Sequence, residues 1–181
     1  PGHADFSGEV ERVLKMADGC LLLVDAFEGP MPQTTFVLRK ALEHGLRPIV
    51  VINKVDRPDA RPLDVHDEVL DLFIDLGVEE SQLEFPTVYA SAVQGYASLD
   101  PNEKTDNVRA VFEAIINHVP APKVDANAPL QMLITALDYS DYVGRIGIGR
   151  VFAGKLRTGT PLALVKRNGA VSSVQVKQLF T

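Results

Sequence analysis

Three candidate strands, each followed by polar residues and then by a helix-forming stretch, limit the folds open to this chain. The runs Cys20–Val24 and Pro48–Ile52 are apolar throughout, and Phe85–Ala90 is the third candidate. Continuous apolar runs, as opposed to alternating ones, are typical of strands buried on both faces of a parallel sheet. Strands that alternate with helices predict an α/β domain whose ligands bind at the carboxyl ends of the strands.

The predicted helices lie between and after these strands. Apolar residues at helical spacing predict helices over 8–18, 64–76 and 108–119, and helix-forming composition predicts one over 33–44. Gly45 and Gly77 follow the helices over 33–44 and 64–76, where a left-handed residue commonly ends a helix. In the last helix we expect Phe112, Ile115 and Ile116 to form the inner face.

The pattern changes at Pro120-Ala121-Pro122, because prolines favour extended backbone and end a helix. We therefore expect two domains, 1–122 and 123–181. Beyond the boundary the strand-like runs 130–137, 145–152, 161–165 and 171–179 occur without helices, and Asn168-Gly169 is a strong hairpin signal. Strands of this kind predict a small β-barrel, of which this stretch is expected to be the beginning.

Composition excludes several classes of protein. The longest apolar runs are far shorter than the roughly 20 residues that cross a bilayer, so no membrane association is expected. The single cysteine, Cys20, cannot form an internal disulfide, which favours a cytoplasmic location. The formal charge of −6 argues against a broad basic nucleic-acid surface, local basic patches stay open, and no DNA partner is expected.

The tetrapeptide Asn53-Lys54-Val55-Asp56, called the 53–56 loop below, directly follows the second apolar strand. An aspartate can accept two hydrogen bonds from the ring N–H and the exocyclic amine of guanine, a pair that adenine lacks. Asp56 would then select the base, Asn53 could bridge purine and protein, and Lys54 could lay its stem across the base. A polar loop that only ends a strand is the alternative, since such a match arises by chance in roughly 2% of chains this long.

Two further motifs give this loop a context. Pro1-Gly2-His3 lies 50 residues before Asn53, and Tyr89-Ala90-Ser91-Ala92 ends the third strand. The first resembles the switch II box of translational GTPases and the second their Ser-Ala box. The 53–56 loop, which lies between them, resembles the base-recognition box of the same family.

The resemblance assigns roles to single residues. It implies that His3 is catalytic and orients the attacking water, and that the Gly2 amide contacts the γ-phosphate, which places Pro1, Gly2 and His3 at the GTP. It also implies that Ser91 steadies Asp56 and that the Ala92 amide donates to the guanine carbonyl oxygen.

The resemblance extends into the second domain, where Gly144–Val151 and Gly154–Gly159 look like the barrel that follows the G domain in translation factors. The stretches 25–34, 51–58, 118–122 and 137–139 are similar to one ribosome-associated branch of the family. The fold expected is α/β, a partial P-loop-GTPase-type parallel sheet with helices, followed by a partial translation-factor β-barrel.

The family implies GTP hydrolysis with GTP or GDP and Mg²⁺ bound, and a role in ribosome assembly, translation or stress adaptation. It also implies a ribosomal partner, either 70S or the 30S and 50S subunits, with rRNA contacts made by the complete protein. Other branches, elongation-factor-G-like or LepA-like, stay open. A non-catalytic module that docks on the ribosome or on a protein is the alternative from another class.

One departure from the family limits these expectations. No Gly-x-x-x-x-Gly-Lys-Ser/Thr run occurs in the sequence, so the loop that cradles phosphates is not found, and neither is switch I. The chain is therefore expected to be an internal fragment that is inactive alone. The Mg²⁺ ligands are expected outside it, and no metal ligand is expected within it.

Overall fold

The structure is a computed structural model that describes residues 7–180. The chain divides into two units, residues 1–122 and 123–181. The first unit contains α1 (Ser7–Leu14), β1 (Gly19–Asp25), α2 (Pro32–Glu43), β2 (Arg47–Asn53), α3 (Pro62–Asp75), α4 (Glu80–Leu83), β3 (Thr87–Ser91), β4 (Tyr96–Ser98) and α5 (Arg109–His118). The second contains β5 (Gln131–Ser140), β6 (Gly144–Ala153), β7 (Pro161–Val165) and β8 (Val171–Gln175).

The first unit is built on one four-stranded sheet in the order β1-β2-β3-β4. Strands β1, β2 and β3 run parallel, and β4 turns back antiparallel to β3. Central strand β2 is buried from Ile49 to Ile52, as its unbroken apolar run predicts. The prediction of a mainly parallel α/β sheet is confirmed.

Helices cover both faces of this sheet. On one face α2 and α3 pack on β1 and β2 through a cluster of buried side chains: Leu22, Val24, Leu38, Val50, Ile52, Val65, Val69 and Phe73. On the other face Ala114 of α5 packs with Ile49, Val51 and Val88. This second layer covers the face only in part, because Leu23 of β1 is 60% exposed, so the prediction that this strand is buried on both faces was wrong.

The two helices next to the strand ends have recognisable start and stop residues. Both α2 and α3 begin with a proline at the first turn, where the missing N–H removes no helical hydrogen bond. Gly45 and Gly77 follow them with φ values of +71° and +67°, as the sequence predicts. The proline starts therefore set where the loops after β1 and β2 end.

Helix α5 differs from its predicted orientation. Ile115 packs on the sheet as expected, but Phe112 is 59% exposed and Ile116 is 77% exposed. The row that faces the strands is instead Val111, Ala114 and Ile115. The prediction of an inner position was therefore wrong for Phe112 and Ile116, because helical spacing alone cannot tell which part of a wide apolar stripe meets the sheet.

The second unit consists of two antiparallel hairpins, β5-β6 and β7-β8. Gly169 turns the second hairpin at a φ of +81°, which confirms the predicted turn. A Cβ at Gly149 would lie 1.9 Å from the Leu133 carbonyl oxygen, so the first hairpin requires glycine there. Among the described residues the hairpins form two separate sheets and no closed barrel, and the prediction of strands without helices in this unit is confirmed.

None of the helices described in this structure is long and apolar enough to cross a membrane. Cys20 lies beside the cluster that joins α1 to α2, and burial raises the pKa of its thiol to about 11. The thiol is therefore protonated at neutral pH, as expected of a half-buried cysteine beside a cluster of core residues.

Candidate functional site

Parallel pairing brings three strand ends to one edge of the sheet. Asp25 at the end of β1 lies opposite Asn53 at the end of β2, and Asn53 lies opposite Ala90 near the end of β3. The 53–56 loop leaves this edge between the other two strands. The edge is where ligands bind in open α/β sheets.

Hydrogen bonds join the 53–56 loop to the end of β3. The Ala92 amide donates to Asn53 Oδ1 at 3.0 Å, and the Val55 amide donates to the Ala90 carbonyl oxygen at 3.2 Å. Asn53 thus joins two of the predicted motifs. The Ala92 N–H is engaged in this bond, so any donation from it to a ligand has to share or replace the contact with Asn53.

Asp56 and Ser91 form the second link between these loops. Ser91 is fully buried, and its Oγ accepts a hydrogen bond from the Gln94 amide at 3.2 Å. The Ser91 side chain is hydrogen-bonded to the Asp56 carboxylate and lowers the pKa of that group. Because Asp56 is itself exposed, the structure presents an ionised carboxylate to solvent at the strand edge.

Lys54 is held by a residue that the sequence analysis did not select. Lys54 Nζ lies 2.6 Å from Asp25 Oδ2. The other Asp25 oxygen, Oδ1, accepts hydrogen bonds from the amides of Phe27 at 2.9 Å and Glu28 at 3.3 Å. The position of Asp25 could have indicated it, because Asp25 directly follows an apolar strand, just as Asn53 does.

The electrostatics of Asp25 follow from these contacts. Burial alone would raise the pKa of the Asp25 carboxyl, but the hydrogen bond from Lys54 and those from the amides of Phe27 and Glu28 lower it to about 2. Asp25 is therefore ionised at neutral pH. Since the pKa is depressed in the folded state, the stabilisation is present above the ordinary aspartate pKa and is lost as pH falls towards 2.

The remaining predicted site residues, Pro1, Gly2 and His3, lie outside the described residues. The described residues thus bring together Asn53, Lys54, Asp56, Ser91 and Ala92 at one edge of the sheet. An exposed, ionised carboxylate with an amide and a long stem beside it can bind a planar group that carries two adjacent N–H donors.

A cleft of about 390 Å³ lies elsewhere, at the carboxyl ends of α2 and α3. Its lining includes Arg39, Glu43, Asp75 and Gln82. None of the predicted site residues lines it. The chemistry therefore points to the strand edge and not to this cleft.

Comparison with known proteins identifies the family. A family model of the elongation factor Tu GTP binding domain matches residues 1–121. The chain belongs to this family of GTP-binding domains. The match includes the first unit almost entirely and contains every residue of the predicted site.

Several relatives that match almost the whole chain share one name, large ribosomal subunit assembly factor BipA. The chain is 59% identical to the protein from Bacillus subtilis over 99% of its own length and 29% of the relative. It is 54% identical to that from Synechocystis over 99% of the chain and 30% of the relative. It is 53% identical to that from Salmonella typhimurium, with 100% of the chain and 30% of the relative covered. The predicted resemblance to translational GTPases of the TypA/BipA branch is confirmed, and the chain spans about 30% of the length of these relatives.

Proposed function

We propose that the whole protein containing this chain binds GTP and GDP, hydrolyses GTP and acts on the ribosome. The observation that carries the proposal is the exposed Asp56 carboxylate, whose pKa Ser91 lowers further, at the strand edge of a domain of the GTP-binding family. Such a carboxylate accepts hydrogen bonds from the ring N–H and exocyclic amine of guanine. Adenine lacks this donor pair, so the site favours guanine nucleotides.

The other residues of the edge are proposed to complete the base site. Asn53 ties the 53–56 loop to Ala92, which fixes the distance between the base-selecting carboxylate and the loop after β3. Lys54 would place its apolar stem along one face of the purine. We also propose that the Ala92 amide donates to the guanine carbonyl oxygen. This contact requires the hydrogen bond from Ala92 to Asn53 to rearrange.

We propose that Mg²⁺ accompanies the nucleotide, with its protein ligands outside this chain. Within residues 7–180, no group of three or more His, Cys, Asp or Glu side chains is placed to hold a metal ion. Bound Mg²⁺ would neutralise charge on the transferred phosphate. Of the parts of the nucleotide, the described site residues are assigned only to the base.

His3 is proposed to orient the water that attacks the γ-phosphate. His3→Ala in the whole protein is expected to lower ribosome-stimulated GTP hydrolysis about 100-fold, the usual contribution of a positioned proton-transfer or water-orienting group. The affinity for GDP should stay within about twofold of wild type, because the described base site is untouched. Phosphate release in single-turnover reactions measures the first quantity, and GDP titration measures the second.

His118→Ala is the matched control, since His118 is exposed in the last turn of α5. It should hydrolyse GTP as wild type does. Equal rates in the His3 and His118 variants would remove His3 from the mechanism.

We propose that the two units correspond to a partial G domain over 1–122 and the start of a β-barrel domain over 123–181. The units differ strongly in charge. Residues 1–122 carry 10 Lys and Arg against 21 Asp and Glu, whereas residues 123–181 carry 8 against 3. The net charge of −6 is therefore the sum of an acidic first unit and a basic second unit.

This basic unit supports a ribosomal partner, because basic surfaces bind the phosphates of RNA. The relatives are named assembly factors of the large ribosomal subunit. We extend that role to the protein containing this chain, and we place it in the cytoplasm with the ribosomes. A module that docks on the ribosome without using nucleotide is the second candidate, favoured by the same basic unit.

Neutralising the β7-β8 turn tests the ribosomal role. Lys166 and Arg167 are both exposed in this turn. Lys166→Gln with Arg167→Gln is expected to weaken binding to purified large subunits. It should also reduce the slope of log affinity against log salt by about one to two, because about one fewer counterion is released for each phosphate contact that is lost. Co-sedimentation between roughly 50 and 200 mM salt measures both.

The control removes two positive charges from the acidic unit. Lys40 pairs with Glu43, and Arg109 pairs with Glu113. Lys40→Gln with Arg109→Gln should leave the salt slope unchanged, and equal slopes for the two double variants would argue against RNA contact by the turn. Binding that is the same with and without GTP would favour the nucleotide-independent module.

A further inference from the structure

Asp25 is positioned to control the lysine of the 53–56 loop. Its side chain is only 12% exposed and lies at the end of β1, in register with Asn53. One oxygen is held by the amides of Phe27 and Glu28, and the other faces Lys54 Nζ at 2.6 Å. The carboxylate is therefore fixed by its own loop before it meets the lysine on the neighbouring strand end.

The backbone at Lys54 also differs from its surroundings. Lys54 has a φ of +67°, and it is the only non-glycine residue with positive φ within the described range. This left-handed conformation is unfavourable for a residue with a Cβ. The contact with Asp25 fixes the far end of the side chain, so Lys54 is constrained at both its backbone and its ammonium group.

Arg57 does not compete strongly for Asp25. Arg57 Nη1 lies 3.9 Å from Asp25 Oδ2, whereas its Nε and Nη2 donate to the two oxygens of Asp59 at 2.9 and 2.8 Å. The guanidinium also lies over the ring of Phe27, 5.1 Å from its centroid. Lys54 is therefore the main partner of the Asp25 carboxylate.

We propose that Asp25 is a positioning residue that holds the Lys54 stem in place for a purine base before the nucleotide binds. The inference rests on the proposed function, since it assumes that the 53–56 loop binds a guanine nucleotide. Binding that orders a long, mobile side chain loses affinity, and an ordered side chain avoids that loss. Asp25 should thus raise the affinity for every purine nucleotide that binds here, without taking part in the choice of base.

Asp25→Asn in the whole protein tests the proposal. Asparagine keeps an oxygen acceptor for the amides of Phe27 and Glu28 but loses the charge that attracts Lys54. The dissociation constant for GDP is expected to rise about 5- to 10-fold, the range for one side chain that must become ordered. Inosine diphosphate, which lacks the exocyclic amine, should weaken by the same factor, so the ratio of the two constants stays as in wild type.

A double-variant cycle separates positioning from a structural role. Lys54→Met keeps an apolar stem but removes the ammonium group. If Asp25 acts through Lys54, Asp25→Asn has no further effect on GDP affinity in the Lys54→Met background. The same loss in both backgrounds, or no loss in the wild-type background, would overturn the proposal.

Two further variants at Asp25 check the result. Asp25→Glu keeps the charge and should recover at least half of the affinity lost in Asp25→Asn; no recovery would count against the proposal. If Asp25→Asn does not fold, Asp25→Ser carries the same expectation, because its hydroxyl can still accept from the loop amides. A wild-type protein that binds no GDP would overturn the proposed function together with this inference, whereas GDP binding that is insensitive to Asp25 would overturn the inference alone.

Discussion

Asp56→Asn in the whole protein is expected to change nucleotide preference from guanine to xanthine. The asparagine amide offers a donor where the carboxylate offers only acceptors, and xanthine carries a carbonyl oxygen where guanine carries its amine. Sites built around paired hydrogen bonds reject ligands that leave those groups unmatched. The affinity for GDP should therefore fall by about 100-fold or more, and xanthosine diphosphate should become the preferred ligand.

Competition titrations with GDP and xanthosine diphosphate measure this change. Asp59→Asn is the matched control, because Asp59 lies three residues further along, is exposed and has its oxygens paired with Arg57. Its preference should remain that of wild type. If the Asp56 variant still prefers GDP over xanthosine diphosphate, Asp56 does not read the base.

The location of this site was predictable because local patterns carry most of the information. Unbroken apolar strands predict a parallel sheet, and a parallel sheet brings its strand ends to one edge. Asn53 and Ala92, which are 39 positions apart, accordingly meet at 3.0 Å. Short elements such as β4 were not predicted, since three residues carry too little periodicity to indicate a strand.

The contact between Asp25 and Lys54 was not predictable in the same way. It depends on the register of β1 against β2, in which Asp25 lies opposite Asn53. Apolar runs predict that two strands exist, but they do not determine the register between them. The prediction of the inner face of α5 failed for a related reason. Packing decides whether the side of the helix that carries Phe112 or the side that carries Val111 faces the sheet.

Total charge gave an incomplete picture of possible partners. The sum of −6 argued against a broad basic surface, yet the positive charges concentrate in residues 123–181. Their separation becomes visible only when the chain is divided into its two units. Net charge is therefore informative for each unit and not for the chain as a whole.

Phe73→Ala is expected to produce the largest loss of stability in the first unit. Phe73 on α3 is fully buried, and its ring stacks on that of Phe85 with centroids 4.5 Å apart. Removing a buried phenyl group loses its transfer free energy and leaves a cavity between α3 and the sheet. Such changes lower the free energy of unfolding by about 3 to 5 kcal/mol.

Hydrogen exchange of the β2 amides in the whole protein measures this effect, because it reports the free energy of local opening without requiring the other domains to unfold. Phe112→Ala is the matched control: it removes the same group from α5, where Phe112 is 59% exposed. The loss there should be less than about 1 kcal/mol, as expected away from a core. Similar losses in the two variants would mean that the cluster around Phe73 does not hold α3 to the sheet.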